Sequence, residues 1–158
     1  MIRPAGGSSF ESAKAYAFFL LKFRQRSRKE LFERLRKKKF DPGTIERLLD
    51  FLQEKEFIND FNFARAWADS RIKKPLGLRR IERELKSKGI ADELIGRVLN
   101  EARDGYCEKE VVGRIAQEKI EKLTGIEPAK AKKRLYAYLA RRGFSPEIII
   151  DTINNTLR

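Results

Sequence analysis

Histidine is absent from this sequence of 158 residues, and cysteine occurs once. Catalytic sites that use histidine as a general base, and zinc sites built from histidine and cysteine clusters, are therefore excluded. A single cysteine cannot form an intramolecular disulfide, and Cys107 has no histidine to activate its thiol. We therefore interpret Cys107 as a small side chain on a helix rather than as a nucleophile.

Phosphate loops and metal-binding clusters are lacking as well. The glycine-containing segments "GLRRIE" and "LTGIEP" do not have the Gly-Lys-Ser/Thr ending that holds nucleotide and magnesium. Glu54, Glu56, Asp60 and Asp69 alternate with lysines at helix-pair spacing, which favours a salt-bridged surface over a metal site. The sequence thus predicts a protein that is not an enzyme and uses no cofactor.

Long hydrophobic runs are also missing. The segment "AYAFFLL" at 15–21 is too short to cross a bilayer, and it is followed by "KFRQR" instead of the small residues of a cleavage site. We expect a cytoplasmic protein with no membrane segment.

Positive charge is present in excess. Lysine and arginine total 36 against 23 acidic residues, which gives a net charge of +13. A field of this sign attracts polyanions, such as nucleic acid or an acidic protein surface.

Apolar residues recur at helical spacing along nearly the whole chain, and no segment alternates with a period of two. The pattern predicts an all-α protein. The predicted helices cover about 10–24, 28–39, 42–55, 61–73, 78–88, 92–103, 106–123, 129–142 and 146–157.

An internal repeat links these helices. The stretches "LFERLRKKKFDPGTIERLL" (31–49), "IERELKSKGIADELIGRVL" (81–99) and "LYAYLARRGFSPEIIIDTI" (135–153) align without a gap. In the turns, Gly89 and Gly143 suit a left-handed residue at a helix end, and Asp41 and Ser145 suit the next N-cap. Each repeat is therefore predicted to be a helix pair joined by a short basic turn.

A longer helix precedes each pair, which predicts three tandem three-helix modules at 10–58, 59–104 and 105–158. Such modules usually stack into an elongated, curved array, and the sequence predicts such an array of right- or left-handed sense. The segment 1–9 has loop composition and is predicted to be a flexible N-terminal arm.

The segment 68–90 concentrates cationic side chains around the sequence Lys-Pro-Leu-Gly, with Arg79 and Arg80 in a first helical turn, where the helix dipole disfavours them. We expect five of its cations to be unpaired locally, namely Arg71, Lys73, Lys74, Arg79 and Arg80. Anion binding is therefore favoured over a solvated face. A similar cluster opens the matching helix of the third repeat. The predicted binding residues are Arg71, Lys73, Lys74, Arg79, Arg80, Arg83, Lys86, Lys130, Lys132, Lys133 and Arg134.

The segment "EFINDFNFARAWADSRIKKPLGLRRIEREL" (56–85) resembles the signature of the RecX regulators of bacterial RecA recombinase. The matching positions are Asp60, Phe63, Ala64, Ser70, Arg71, Gly77, Ile81, Glu84 and Leu85. Together with the helix pairs and the closing "ARRGFSPEII", the resemblance extends over nearly the whole chain from about residue 12. Pro75 and Leu76 depart from the basic or small residues expected in the linker.

The resemblance implies a non-enzymatic regulator that binds RecA and RecA–DNA filaments in the filament groove and inhibits ATP hydrolysis, recombinase activity and strand exchange. It also implies roles in DNA recombination, DNA repair and the SOS response. The expected partners are RecA and the phosphates of single- and double-stranded DNA, with the protein as a monomer. The alternative is a free-standing, basic helical DNA-binding protein. Acids at the start of the second helices, as in "ADELIGR", weigh against that alternative.

Overall fold

The computed structural model describes residues 9–157, and these form nine α-helices and no strand. The helices are α1 (Phe10–Phe23), α2 (Arg28–Lys37), α3 (Pro42–Glu54), α4 (Asp60–Ile72), α5 (Leu78–Ser87), α6 (Asp92–Arg103), α7 (Glu108–Lys122), α8 (Pro128–Arg141) and α9 (Pro146–Thr156). The all-α prediction is confirmed, and each predicted helix is present with ends within two residues.

Cap chemistry explains several of these ends. The side chains of Asp41 and Ser145 accept hydrogen bonds from backbone amides in the first turns of α3 and α9, as predicted. Ser27 and Glu30 form a capping box at the start of α2.

Three separate cores organise the helices into module 1 (α1–α3), module 2 (α4–α6) and module 3 (α7–α9). Within each module, every helix packs against the other two. The fully buried side chains include Leu31, Ile81 and Leu135, which occupy the same position in the three repeats. Burying a side chain of this size contributes about 1.5–3 kcal/mol. The three tandem modules are confirmed, whereas the boundaries after residues 58 and 104 stay predictions.

Consecutive modules are joined by the same type of contact, which occurs twice and which we call a joint. The N-terminus of α2 meets the C-terminal end of α5, where Ser27 Oγ donates to the Lys88 carbonyl at 2.7 Å. The N-terminus of α5 meets the C-terminal end of α8, where the Gly77 amide donates to the Arg142 carbonyl at 2.8 Å. The middle helices of the modules are therefore stacked head to tail.

A carboxylate completes each joint. The Arg28 amide, at the first residue of α2, donates to Asp60 Oδ1 at 2.9 Å, and the Leu78 amide, at the first residue of α5, donates to Glu108 Oε1 at 2.8 Å. Each carboxylate begins the first helix of the next module and satisfies an amide that the middle helix leaves free. Asp60, which the sequence suggested for a salt-bridged surface, thus caps a helix across a module boundary.

The turns that follow α5 and α8 each lie against the preceding module and require glycine. Gly89 and Gly143 have φ values of 77° and 87°, which confirms the predicted left-handed residues. A Cβ on Gly89 would lie 2.6 Å from Lys29 Cβ, so the preceding module leaves no room for a side chain. Lys39 holds the equivalent position in module 1, at a φ of 63°, and no module precedes it there.

The predicted N-terminal arm lies outside the described residues except for Ser9, which caps α1 through its hydroxyl group. Among residues 9–157, no helix has the length and apolar character needed to span a membrane.

Candidate nucleic-acid interface

An open groove of about 620 Å³ lies between modules 2 and 3. We call it the 2/3 groove, and its lining residues are Arg71, Lys74, Leu76, Arg80, Tyr138, Arg141 and Arg142. Five of these side chains are cationic and none is acidic. Such a lining suits a ligand with several negative charges.

The groove is placed by the joint between α5 and α8. Leu76 and Leu78 are buried on either side of Gly77, which fixes the linker against the end of α8. The Tyr106 hydroxyl donates to the Leu76 carbonyl at 2.9 Å and holds the linker from its other side. Burial, followed by the charge of Glu108, raises the pKa of Tyr106 from 10.0 to about 12, so this donor keeps its proton even where an ordinary tyrosine ionises.

Glu84 does not line the groove, but it binds and orients two arginines that do. Its carboxylate accepts from Arg71 Nε at 2.7 Å, Arg80 Nε at 3.1 Å and Trp67 Nε1 at 2.9 Å. Burial alone would raise the pKa of Glu84, but the hydrogen bonds from Trp67, Arg80 and Arg71 lower it below its usual value. The guanidinium group of Arg71 also stacks over the Trp67 ring, 4.5 Å from its centroid. These contacts fix the two arginines in place.

The expectation that five cations of this segment are unpaired was wrong for Arg71 and Arg80, because both bind Glu84. Lys88, which lies near the end of the same segment, forms an ion pair with Glu30 of module 1 at 2.7 Å. One carboxylate shared between two guanidinium groups still leaves net positive charge in the groove.

The structure does not gather all of the predicted cations into the groove. Arg79 and Arg83 are both exposed on α5 and do not line the groove. Arg79 Nη2 lies 3.9 Å from Glu147 Oε2. Lys86 is ion-paired with Glu82 at 2.9 Å, and Lys73 lines a different cavity beside Tyr106.

The second predicted cluster lies on the first turns of α8. Arg134 lines a cavity with Lys119, Tyr138 and Arg141, which adjoins the 2/3 groove through its last two residues. Lys130, Lys132 and Lys133 line neither cavity. This cluster is therefore connected to the groove by one arginine only.

Arg141 and Arg142 were missed by sequence reasoning, although they belong to the closing "ARRGF" stretch. They lie at the C-terminal end of α8, where cations are ordinary partners of the helix dipole. The repeat alignment carries the missing signal, because Arg142 is equivalent to Lys88, a residue that lies at the other module joint.

Metal-binding clusters of three or more histidine, cysteine or acidic side chains do not occur in the described part of the chain. Cys107 is exposed and occupies the N-cap of α7 without a side-chain cap bond. The charged side chains that line the 2/3 groove are all cations, which can donate hydrogen bonds.

Family comparisons agree with the three modules. Profiles described as the first, second and third three-helix domains of RecX match residues 13–52, 59–99 and 110–153. These matches cover most of the chain and fall on the modules in the same order.

Individual relatives extend over nearly the full length. Regulatory protein RecX of Amycolatopsis mediterranei (strain U-32) is 31% identical over 150 residues, which span 94% of this chain and 85% of that protein. Regulatory protein RecX of Chlorobium limicola (strain DSM 245 / NBRC 103803 / 6330) is 34% identical over 146 residues, 92% of this chain and 89% of that protein. The crystal structure of RecX from Lactobacillus salivarius superposes with a TM-score of 0.81 at 24% identity, covering 94% of this chain and 96% of that one.

Proposed function

Because the chain belongs to the RecX family, we propose that it is a non-enzymatic regulator that binds RecA and RecA–DNA filaments. It acts in the cytoplasm as a monomer that lies in the filament groove. There it inhibits the ATPase, recombinase and strand-exchange activities of RecA. Its roles in recombination, DNA repair and the SOS response follow from that inhibition.

The observation that carries this proposal is the charge of the 2/3 groove. At the joint between modules 1 and 2, the Glu30–Lys88 ion pair joins the two sides. At the joint between modules 2 and 3, the equivalent positions are Arg80 and Arg142, and both line the groove. Arg80 shares the Glu84 carboxylate with Arg71, and Arg142 forms no ion pair within the described residues, so this joint keeps a net positive charge that a polyanionic ligand would offset.

DNA phosphates are a class of ligand that fits the cations of this groove. Four of its five cations are arginines, whose planar guanidinium groups bind phosphate oxygens in a bidentate manner. Contacts of this kind release counterions and do not depend on base sequence. The tandem modules present such contacts in succession, as a helical polyanionic track requires. Arg79, Arg83, Lys73, Lys86 and the α8 cluster remain proposed contacts outside the groove.

The ATPase of the cognate RecA tests the proposal. The wild-type protein should lower the DNA-dependent rate, and Lys74→Glu/Arg141→Glu should lose most of this inhibition. Both residues are exposed groove cations outside the ion pairs of the described residues, so the fold should be retained. The matched control is Arg36→Glu/Lys55→Glu, which reverses two exposed cations of module 1.

Circular dichroism should show that both variants are folded. No effect of the wild-type protein on RecA would overturn the proposal. Tight binding to bare DNA without any effect on RecA would instead support the free-standing DNA-binding protein.

A further inference from the structure

A second cationic groove, of about 380 Å³, lies between modules 1 and 2. We call it the 1/2 groove, and its lining residues are Arg24, Arg26, Lys29, Glu30, Glu33, Arg34, Lys37, Ser87 and Lys88. Six of these side chains are cationic and two are acidic. None of the module 1 cations was assigned a role from the sequence.

The two grooves are repeats of each other. In the repeat alignment, five positions of the 1/2 groove coincide with five positions of the 2/3 groove. The equivalent pairs are Arg24 with Lys74, Arg26 with Leu76, Glu30 with Arg80, Ser87 with Arg141, and Lys88 with Arg142. Equivalent surfaces in a tandem array recur in order along it, so the grooves follow one another along the molecule.

The acids of the 1/2 groove are already occupied. Glu30 Oε1 accepts from Arg24 Nη2 at 2.9 Å and from Lys88 Nζ at 2.7 Å. Glu33 lies 3.8 Å from Lys29 Nζ. These two acids therefore offset part of the charge of the groove and leave the remaining cations to other partners.

Arg26, Arg34 and Lys37 are those remaining cations, and none forms an ion pair within residues 9–157. Arg26 Nε is buried and has no hydrogen-bond partner in the described structure. Burial, followed by the charges of Arg24 and Arg34, lowers the pKa of Arg26. An oxyanion that binds the exposed part of this guanidinium group would offset the repulsion among the cations.

We infer that the 1/2 groove is a second phosphate-binding site, which holds the same nucleic-acid strand as the 2/3 groove, one module further along. The inference rests on the proposed function, because it takes the occupant of the 2/3 groove to be a nucleic acid. Its ligand is a phosphodiester group held by Arg26, Arg34 and Lys37. Two sites on one strand bind more tightly than either alone, because the second contact is intramolecular.

The test is the salt dependence of binding to single-stranded DNA, measured by fluorescence anisotropy with a short oligonucleotide and with one several times longer. The variant Arg26→Gln/Arg34→Gln/Lys37→Gln removes three groove cations without breaking an ion pair of the described residues. The control, Lys22→Gln/Arg36→Gln/Lys55→Gln, removes three exposed cations of the same module that line neither groove. Both variants have the same net charge.

For the long oligonucleotide, the groove variant should bind more weakly, and the slope of log affinity against log salt should become shallower by about 2, or about 0.7 per lost phosphate contact. The control should keep the wild-type slope. For the short oligonucleotide, which fills a single groove, the groove variant should lose much less affinity, because the 2/3 groove remains.

Equal slopes for the groove variant and the control would overturn the inference. The proposed function would survive that result if Lys74→Glu/Arg141→Glu still abolished RecA inhibition, and it would fall with the inference if those substitutions also had no effect. Unchanged DNA binding together with weaker RecA inhibition would overturn the phosphate assignment and place an acidic protein surface in the 1/2 groove.

Discussion

Glu30 Oε1 lies 2.7 Å from Lys88 Nζ across the joint between modules 1 and 2. At the next joint, Arg80 and Arg142 occupy the equivalent positions, and both line the 2/3 groove. The two joints are otherwise alike, since the residue before each middle helix donates to a carbonyl of the next module, through the Ser27 hydroxyl group at the first joint and the Gly77 amide at the second. The positive charge of the second joint is therefore not needed to hold the modules together.

The first prediction follows from that contrast. Arg80→Glu should weaken binding to DNA about tenfold or more, a change of about 1.4 kcal/mol, because it reverses a cation of the groove. The fold should lose little stability, since the new carboxylate stands four residues from Glu84 but also beside Arg142, as Glu30 lies beside Lys88. The lost Arg80–Glu84 pair is partly exposed and contributes only about 0.3–0.5 kcal/mol. Anisotropy and thermal melting measure the two effects.

Arg36→Glu is the matched control, because it makes the same charge change on the exposed face of the equivalent helix in module 1. A variant Arg80→Glu that binds DNA as well as this control would contradict the assignment of the groove.

A second prediction compares the 2/3 groove with Arg79 and Arg83, which form an exposed ridge on α5 outside the groove. Lys74→Glu/Arg141→Glu should abolish more RecA inhibition than Arg79→Glu/Arg83→Glu, although each variant reverses two exposed cations. Lys74 and Arg141 line one groove and would contact the same ligand, whereas Arg79 and Arg83 lie outside the groove and would act through the general field of the protein. Inhibition of the RecA ATPase is measured at equal concentrations of folded protein. The opposite order would place the principal contact on the ridge.

A third prediction concerns the tight joint between modules 2 and 3. Gly143→Ala should destabilise the protein more than Gly125→Ala, although their φ values of 87° and 85° are nearly equal. Each change forces alanine into the left-handed region, at about 1–2 kcal/mol. A Cβ on Gly143 would also lie 2.9 Å from Arg80 Cα, whereas a Cβ on Gly125 would meet nothing within 4 Å.

Urea denaturation of both variants gives the comparison. Equal losses of unfolding free energy would show that modules 2 and 3 can move apart at no cost.

A fourth prediction concerns acid stability. Burial alone would raise the pKa of Glu30, but hydrogen bonds from Arg24, Lys88 and the Ser27 amide outweigh it and lower the pKa from 4.5 to about 2. A lowered folded-state pKa means that the unfolded chain binds the proton first as pH falls. The stabilisation by Glu30 is therefore fully present above about pH 4.5 and is lost between about pH 4.5 and pH 2.

Glu30→Gln should thus be less stable than the wild type near neutral pH, with a difference in unfolding free energy that shrinks through this window. Chemical denaturation at a series of pH values measures the difference. The control Glu54→Gln, at an exposed position, should differ little from the wild type throughout. A constant difference between Glu30→Gln and the wild type would show that the ion pairs of Glu30 are not the cause.

The sequence by itself determined the helices, their caps and the three-fold repeat, because these depend on residues a few positions apart. Apolar spacing defines one face of each helix, and Asp41 or Gly143 acts on amides and carbonyls of its own turn. A resemblance to the RecX family was readable from the segment 56–85 for the same reason, since its residues are contiguous.

Only the tertiary structure decided which cations share a surface. Arg71 and Arg80 meet at Glu84, and Arg142 joins them from a helix more than sixty positions away in the chain. Such convergence depends on the head-to-tail stacking of the middle helices, which no local pattern specifies. The same holds for Arg26. Its Nε lacks a hydrogen-bond partner within the described residues because of how the joint packs, which the sequence does not specify. Charge acts through space, so its distribution is fixed by packing and not by order along the chain.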